Sequence, residues 1–164
     1  TSSILVKQLM ERGIEETTAS IVAELKNQLD EAIQISSDDW FAQAQRKVLK
    51  LYEAVNQDNL KALIFLQEEW FNHFKEKEQI DLGLDLLLLI YKDLLYIQLD
   101  KQEEILFKNI QTQLERYALQ YAQRKLASDM EKILEAKRRL LSNTNPQLVL
   151  EQLVLNLQEG SSFV

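Results

Sequence analysis

Apolar residues recur at intervals of three and four along almost the whole chain, and strict alternation of apolar and polar residues is nearly absent. This spacing predicts amphipathic α-helices rather than β-strands. The clearest series starts at Phe41 and continues through Ala44, Val48, Leu51 and Val55. We therefore predict an all-α fold.

Breaks in the pattern set the expected helix boundaries. We predict helices over residues 4–12, 15–35, 41–55, 60–74 and 81–99, a long segment after Asp100, and a last helix over residues 146–158. Gly13 suits the left-handed end of the first helix, and the polar residues 36–39 supply a break and an N-cap. In the long segment, one continuous seam is expected along Leu119, Leu126, Ile133 and Leu140. The short connections imply antiparallel neighbours, and hence an antiparallel helical bundle.

The composition excludes several protein classes. Among 164 residues there are three glycines and one proline, too few for the turns of a β-sandwich, a barrel or a glycine-loop nucleotide fold. The absence of cysteine removes disulfides, thiolate catalysis and cysteine-ligated metals. Residues 86–91 form an apolar run, but charges at Asp85, Lys92 and Asp93 interrupt it, so we expect a buried helix and no membrane span.

Catalytic chemistry finds little support in the residues. The three glycines are far apart and none precedes a lysine, so a phosphate-binding loop is not expected. The single histidine, His73, has no second metal ligand at a suitable spacing. Adjacent acids such as Glu68 and Glu69 point in different directions on a helix and cannot share a proton. We therefore expect no enzymatic activity, no metal and no cofactor.

The chain is acidic, with 19 basic and 26 acidic residues and a net charge of −7, which disfavours autonomous binding of nucleic acid. Residues 120–141 are the exception, because six basic residues there outnumber three acidic ones. Lys125, Lys132 and Arg139 repeat every seven residues and so share one helix edge. This edge is either a solvated helix face or a basic patch for an acidic partner or a phosphate backbone, and both interpretations stay open.

The C-terminal segment has the most specific pattern. Asn143 is suited to end the preceding helix in the left-handed conformation, and Asn145 can cap the next helix with Pro146 in its first turn. The last helix is then apolar on nearly every side except at three polar residues, which are Glu151, Gln152 and Asn156. Such a helix is buried by its own core or contacts a neighbour, and at the edge of a small bundle a protein contact is favoured.

Two stretches resemble one known family. The first is residues 133–157, in which residues 140–151 read Leu-Leu-x-Asn-x-Asn-Pro-Gln-Leu-x-Leu-Glu. The second is residues 88–95, which contain Tyr-Lys-Asp-Leu-Leu with Lys92 where the family often has arginine. Together they resemble the end of the DNA polymerase III delta-prime family of bacterial clamp loaders. The resemblance implies a clamp-loader collar domain that assembles with the ATPase subunits of the tau or gamma type and with the delta subunit. It also implies a bacterial cytoplasmic protein. We expect any DNA contact by this segment to be indirect, although the basic edge leaves this question open.

From this resemblance we expect three regions. Residues 1–35 would be the helical end of a lid domain of the AAA+ type, residues 36–158 the collar domain, and residues 159–164 a flexible tail. Because the chain begins with Thr1 rather than Met, we expect it to be a piece of a longer protein. We expect the protein contact on the asparagine turn and on the outward side of the last helix, at Asn143, Asn145, Leu150, Leu153, Val154 and Leu157.

Two other functions remain open. A helical adaptor of the tetratricopeptide kind would show an internal period near ~34 residues, which the sequence lacks. The ligand-binding domain of a transcription regulator would need an apolar cavity, which Trp40, Trp70 and Phe71 could line, although core packing explains these residues more simply.

Overall fold

The computed structural model describes residues 2–158, and within them every regular element is helical and no strand is present. The all-α prediction is therefore confirmed. The α-helices are α1 (Ser2–Glu11), α2 (Glu16–Leu25), α3 (Leu29–Ser36), α4 (Asp39–Val55), α5 (Asn59–Phe65), α6 (Phe71–His73), α7 (Lys77–Gln98), α8 (Gln111–Ala118), α9 (Gln123–Leu140) and α10 (Pro146–Gln158). A π-helical turn, Leu66–Trp70, joins α5 to α6. The predicted flexible tail at 159–164 lies outside the described residues.

The end of α1 matches its prediction, but the division between α2 and α3 does not. Gly13 follows α1 with a φ of 89°, the left-handed conformation expected there. The single predicted helix over residues 15–35 is wrong, because the chain is extended at Lys26 and α3 starts only at Leu29. Leu25 and Leu29 keep the apolar spacing of four across this break, and so the periodicity hides it.

Helix α4 begins where the polar break at residues 36–39 predicts. The Asp38 carboxylate accepts a hydrogen bond from the Trp40 backbone N–H at 2.9 Å, which satisfies a donor in the first turn. The predicted apolar series on this helix is buried, from Phe41 to Val55.

The fourth predicted helix is only partly correct, because a π-helical turn divides it into α5 and α6. Leu60 and Ile64, two large apolar residues of this segment, are 66% and 42% exposed. A π turn contains more residues than an α turn and rotates the face of the helix that follows it. Leu60 and Ile64 precede this turn, however, and lie opposite the buried side of α5, which Ala62 and Phe65 form and Leu66 and Trp70 continue through the turn.

Trp40, Trp70, His73 and Phe74 pack together as an aromatic cluster. Trp70 stacks on Phe74 at 4.0 Å between ring centroids, and Trp40 stacks on His73 at 4.8 Å. Trp40 Nε1 donates to the His73 carbonyl, and His73 Nε2 bonds the Trp40 carbonyl, each at 2.9 Å. His73 therefore joins α4 to α6, and the tryptophans serve core packing rather than a cavity wall.

Helix α7 is the centre of the core and packs against α4, α8 and α9. Half of its 22 residues are buried, including one acid, Asp93. The Asp93 carboxylate accepts hydrogen bonds from the backbone N–H groups of Leu106 and Phe107, both at 2.9 Å. The side chain thus holds the loop after α7 against the helix.

The long segment after Asp100 is divided. Asp100 itself has a φ of 59°, and α8 ends before residues 119–122 lead into α9. The expectation of one continuous seam is wrong at its first residue, because Leu119 is 89% exposed while Leu126, Ile133 and Leu140 are buried on α9.

In residues 2–158, moreover, we find no helix with the length and apolar character that crossing a bilayer requires.

Gly83 gives a test of the packing between α7 and the aromatic cluster. A Cβ atom at Gly83 would lie 2.9 Å from Phe74 Cε1 and 2.9 Å from Trp70 Cη2, and both rings are fully buried. We predict that Gly83→Ala lowers the free energy of unfolding by ~1–3 kcal/mol, despite the better helix propensity of alanine. Urea denaturation measures this change, and a gain in stability would contradict the packing.

Asp93 gives a pH-dependent test. Burial raises the pKa of its carboxyl to about 6, against the opposing effect of the Phe107 and Leu106 N–H groups. Between about pH 4 and pH 6 the folded chain then holds more protons than the unfolded chain, so the contribution of Asp93 to stability falls as pH rises. We predict that the wild-type chain loses stability relative to Asp93→Asn across this range and that the difference levels off above it.

Urea denaturation at closely spaced pH values measures the difference. Asp30→Asn, at a position in the first turn of α3 outside the buried core, controls for the loss of one negative charge. A difference between wild type and Asp93→Asn that stays constant from about pH 4 to pH 7 would show that Asp93 does not titrate in this way.

Candidate protein–protein interface

The turn between α9 and α10 is exposed and internally bonded. The Ser142 hydroxyl donates to the Arg139 carbonyl at 2.8 Å, and Lys77 Nζ reaches the Ser142 carbonyl at 3.1 Å. Asn145 accepts a hydrogen bond from the Gln147 N–H at 2.8 Å, which confirms it as the cap of α10.

Asn143 does not adopt the backbone conformation that was expected of it. The left-handed conformation predicted for Asn143 is wrong, because Asp100 alone has a positive φ among the described non-glycine residues. Asn143 and Asn145 are nevertheless both at the surface.

The side of α10 that was predicted to face outward faces the core. Leu150, Leu153, Val154 and Leu157 are between 0% and 3% exposed, because α10 packs against α9, α5 and α4. The expectation that these four side chains face outward is therefore wrong. They form core, and the helix is buried on this side by its own chain.

The outer side of α10 presents two other leucines. Leu148 is 58% exposed and Leu155 is 42% exposed, and seven residues separate them, so they lie on one line along the helix. Leu141, in the preceding turn, is 84% exposed. We call Leu141, Leu148 and Leu155 the outer leucine face. The sequence pattern shows many apolar residues on α10 but does not say which of them neighbouring helices cover.

The basic edge of α9 is directed at α10. Lys125 Nζ donates to the Leu157 carbonyl at 2.8 Å, and Lys132 Nζ donates to the Asn156 carbonyl at 2.9 Å. Arg139 donates to the Gln152 side chain at 2.6 Å. The last carbonyls of a helix lack partners within the helix and carry partial negative charge, so cations stabilise them. The three residues predicted as one edge thus fasten α9 to α10.

Asp129 completes this arrangement from inside the core. Its carboxylate is 2.6 Å from Lys125 Nζ and 3.8 Å from Lys132 Nζ. Burial raises the pKa of Asp129, and the pairing with Lys125 opposes that rise. From the sequence, Asp129 counted only as one of the acids in a basic stretch. Its position four residues after Lys125 on an otherwise apolar face is the signal that would have identified a buried pair.

Other chemistry is sparse in the described part of the chain. Residues 2–158 contain no group of three or more histidine and carboxylate side chains placed to hold a metal ion. A surface groove of about 560 Å³ lies beside Ile35, Leu82 and Leu141, with charged side chains of both signs around it. The outer leucine face and this groove meet at Leu141.

One family and one bacterial protein are similar to this chain in sequence. Residues 69–159 match the family described as DNA polymerase III, delta subunit, C terminal. Over 153 residues the chain is 39% identical to the protein named DNA polymerase III subunit delta' of Bacillus subtilis (strain 168), a match that includes 93% of this chain and 46% of that protein. The chain thus spans about half the length of this relative. No solved structure is significantly similar to the present chain.

Lys125 and Arg138 are both basic residues of α9, but we expect their loss to change the free energy of unfolding by different amounts. Lys125→Gln leaves the buried Asp129 without its nearest cation and removes a donor from the Leu157 carbonyl. We expect it to lower the free energy of unfolding by ~3 kcal/mol. Arg138→Gln removes the same charge from the same helix, but the Arg138 pair with Glu135 is exposed, so its loss should cost less than ~1 kcal/mol. Equal effects in urea denaturation would contradict the role of Lys125.

Proposed function

Because the chain belongs to the family that comprises the C-terminal region of the DNA polymerase III delta subunit, we propose that it is a non-catalytic assembly domain of a bacterial clamp loader in DNA replication. The observation that supports this role is the outer leucine face, whose exposed apolar side chains lie on α10 and in the turn before it. A clamp loader joins several subunits, and such a face suits helix-to-helix contact between them.

In this proposal the chain contributes to two parts of the subunit. Residues 1–35 are the helical end of a lid domain, and residues 36–158 are the collar domain, with α4 to α10 as its core. The polar break at residues 36–39, capped by Asp38, is the boundary that supports this division.

The partners in this proposal are the ATPase subunits of the tau or gamma type and the delta subunit, and the protein works in the bacterial cytoplasm. DNA contact by this segment is indirect at most. Lys125 and Lys132, the basic residues that first suggested a phosphate-binding edge, already serve helix carbonyls and Asp129. Asn143 and Asn145 remain part of the proposed contact surface, because both are exposed next to the outer leucine face.

A binding experiment tests the assembly surface. The chain is mixed with the C-terminal domains of the proposed partners, and complex formation is measured by size-exclusion chromatography and titration calorimetry. We predict that the double variant Leu148→Glu, Leu155→Glu weakens the complex at least about tenfold, because two charges then enter an apolar contact. Both side chains are exposed, so the variant should keep its fold, and circular dichroism checks this.

The matched control is Leu99→Glu, Leu119→Glu. These leucines are 50% and 89% exposed and lie at the C-terminal ends of α7 and α8, so neither belongs to the outer leucine face. The control carries the same change in composition and charge and should bind as the wild-type chain does. Full binding by the α10 variant would place the assembly surface elsewhere.

A further inference from the structure

Helix α9 carries a second row of apolar residues, at the surface. Each residue of its buried seam is followed directly by another apolar residue. These followers are Ala127, Leu134 and Leu141, which are seven residues apart and lie about 100° round the helix from the seam. We call them the α9 outer row. All three are exposed, Leu134 by 40% and Leu141 by 84%, so the row runs for ~21 Å along the surface.

Charged residues of alternating sign lie beside the α9 outer row. Arg124, Glu131 and Arg138 are all exposed and are also seven residues apart. Each lies three or four residues from a member of the row and is therefore its neighbour on the helix surface. An apolar row with charges along its flank is the pattern by which one helix pairs with another.

The apolar row fits a second copy of the same helix that runs in the opposite direction. With the two Leu134 side chains at a two-fold axis, Ala127 of each copy lies opposite Leu141 of the other, because both are seven residues from Leu134. The small side chain then leaves room for the large one. The row is thus complementary to itself in size.

The charges agree with the same arrangement. Glu131 precedes Leu134 by three residues and Arg138 follows it by four, so Glu131 of one copy lies within ~1.5 Å of the level of Arg138 of the other, on the same flank. Arg138 also pairs with Glu135 of its own helix, and its five donors suffice for both carboxylates. Lys137, at a similar level, is held by two carboxylates of α7.

We propose that two copies of this chain associate through antiparallel pairing of α9, with Leu134 at the two-fold axis. Lys132, which bonds α10, is two residues before Leu134, so the α9 outer row faces away from α10. The contact therefore differs from the one at Leu148 and Leu155 and does not depend on the clamp-loader role. One helix from each copy makes a small interface, so we expect a reversible dimer at micromolar concentrations.

Sedimentation equilibrium of the chain over a concentration series, with no other protein present, tests the proposal. We expect the mass to rise from 19.2 kDa toward twice that value. Leu134→Glu places two like charges at the two-fold axis and should raise the dissociation constant at least about tenfold. Leu148→Glu is the matched control, because it makes the same change at an exposed leucine of α10 and should leave the constant unchanged.

Charge reversal tests the register of the pairing. Glu131→Arg alone and Arg138→Glu alone each bring like charges together and should weaken the dimer, whereas the double variant restores opposite charges and should recover most of the lost affinity. Both positions are exposed, and circular dichroism checks that each variant keeps its fold.

Four results would each overturn the proposal. They are a wild-type chain that stays monomeric up to about 1 mM, a Leu134→Glu variant that dimerises as the wild type does, an equal loss of dimer in Leu148→Glu, and a double charge variant that recovers no affinity.

Discussion

Helix α7 is apolar on almost every side, and the architecture follows from the need to cover it. Eleven of its residues are buried, from Ile80 to Ile97. At ~1.5–3 kcal/mol for each large apolar side chain, their burial is a dominant favourable contribution to folding. Helices α4, α8 and α9 supply the cover. Gly83 allows the aromatic cluster to reach the helix backbone, and the buried Asp93 anchors the loop that follows.

Helix α10 is fixed by two different kinds of interaction, and its surface is a consequence of both. Its inner side is packed into the core, and the Lys125 and Lys132 ammonium groups hold the carbonyls of its last turn. These contacts determine the rotation of the helix about its axis. The side that remains outward carries Leu148 and Leu155, and the proposed assembly role depends on that rotation.

The sequence was sufficient to predict the fold class and those helix ends that depend on adjacent residues. Asn145 caps the helix that it was predicted to cap, the predicted N-cap within residues 36–39 is Asp38, and Gly13 ends α1, because each of these effects is set by neighbouring residues. The break at Lys26 and the π turn at residues 66–70 were missed, since neither interrupts the apolar spacing. The outward residues of α10 were also misassigned. On a helix that is apolar on nearly all sides, tertiary packing alone decides which side is covered.

The most direct test of the assembly role is methyl NMR of the leucine-labelled chain during titration with the C-terminal domains of its proposed partners. We predict that the methyl signals of Leu148 and Leu155 shift or broaden first. Those of Leu150 and Leu153, on the inner side of the same helix, should change far less. Signals from α10 that stay unchanged while the complex forms, with perturbations confined to another face, would contradict the assignment of the assembly surface to this helix.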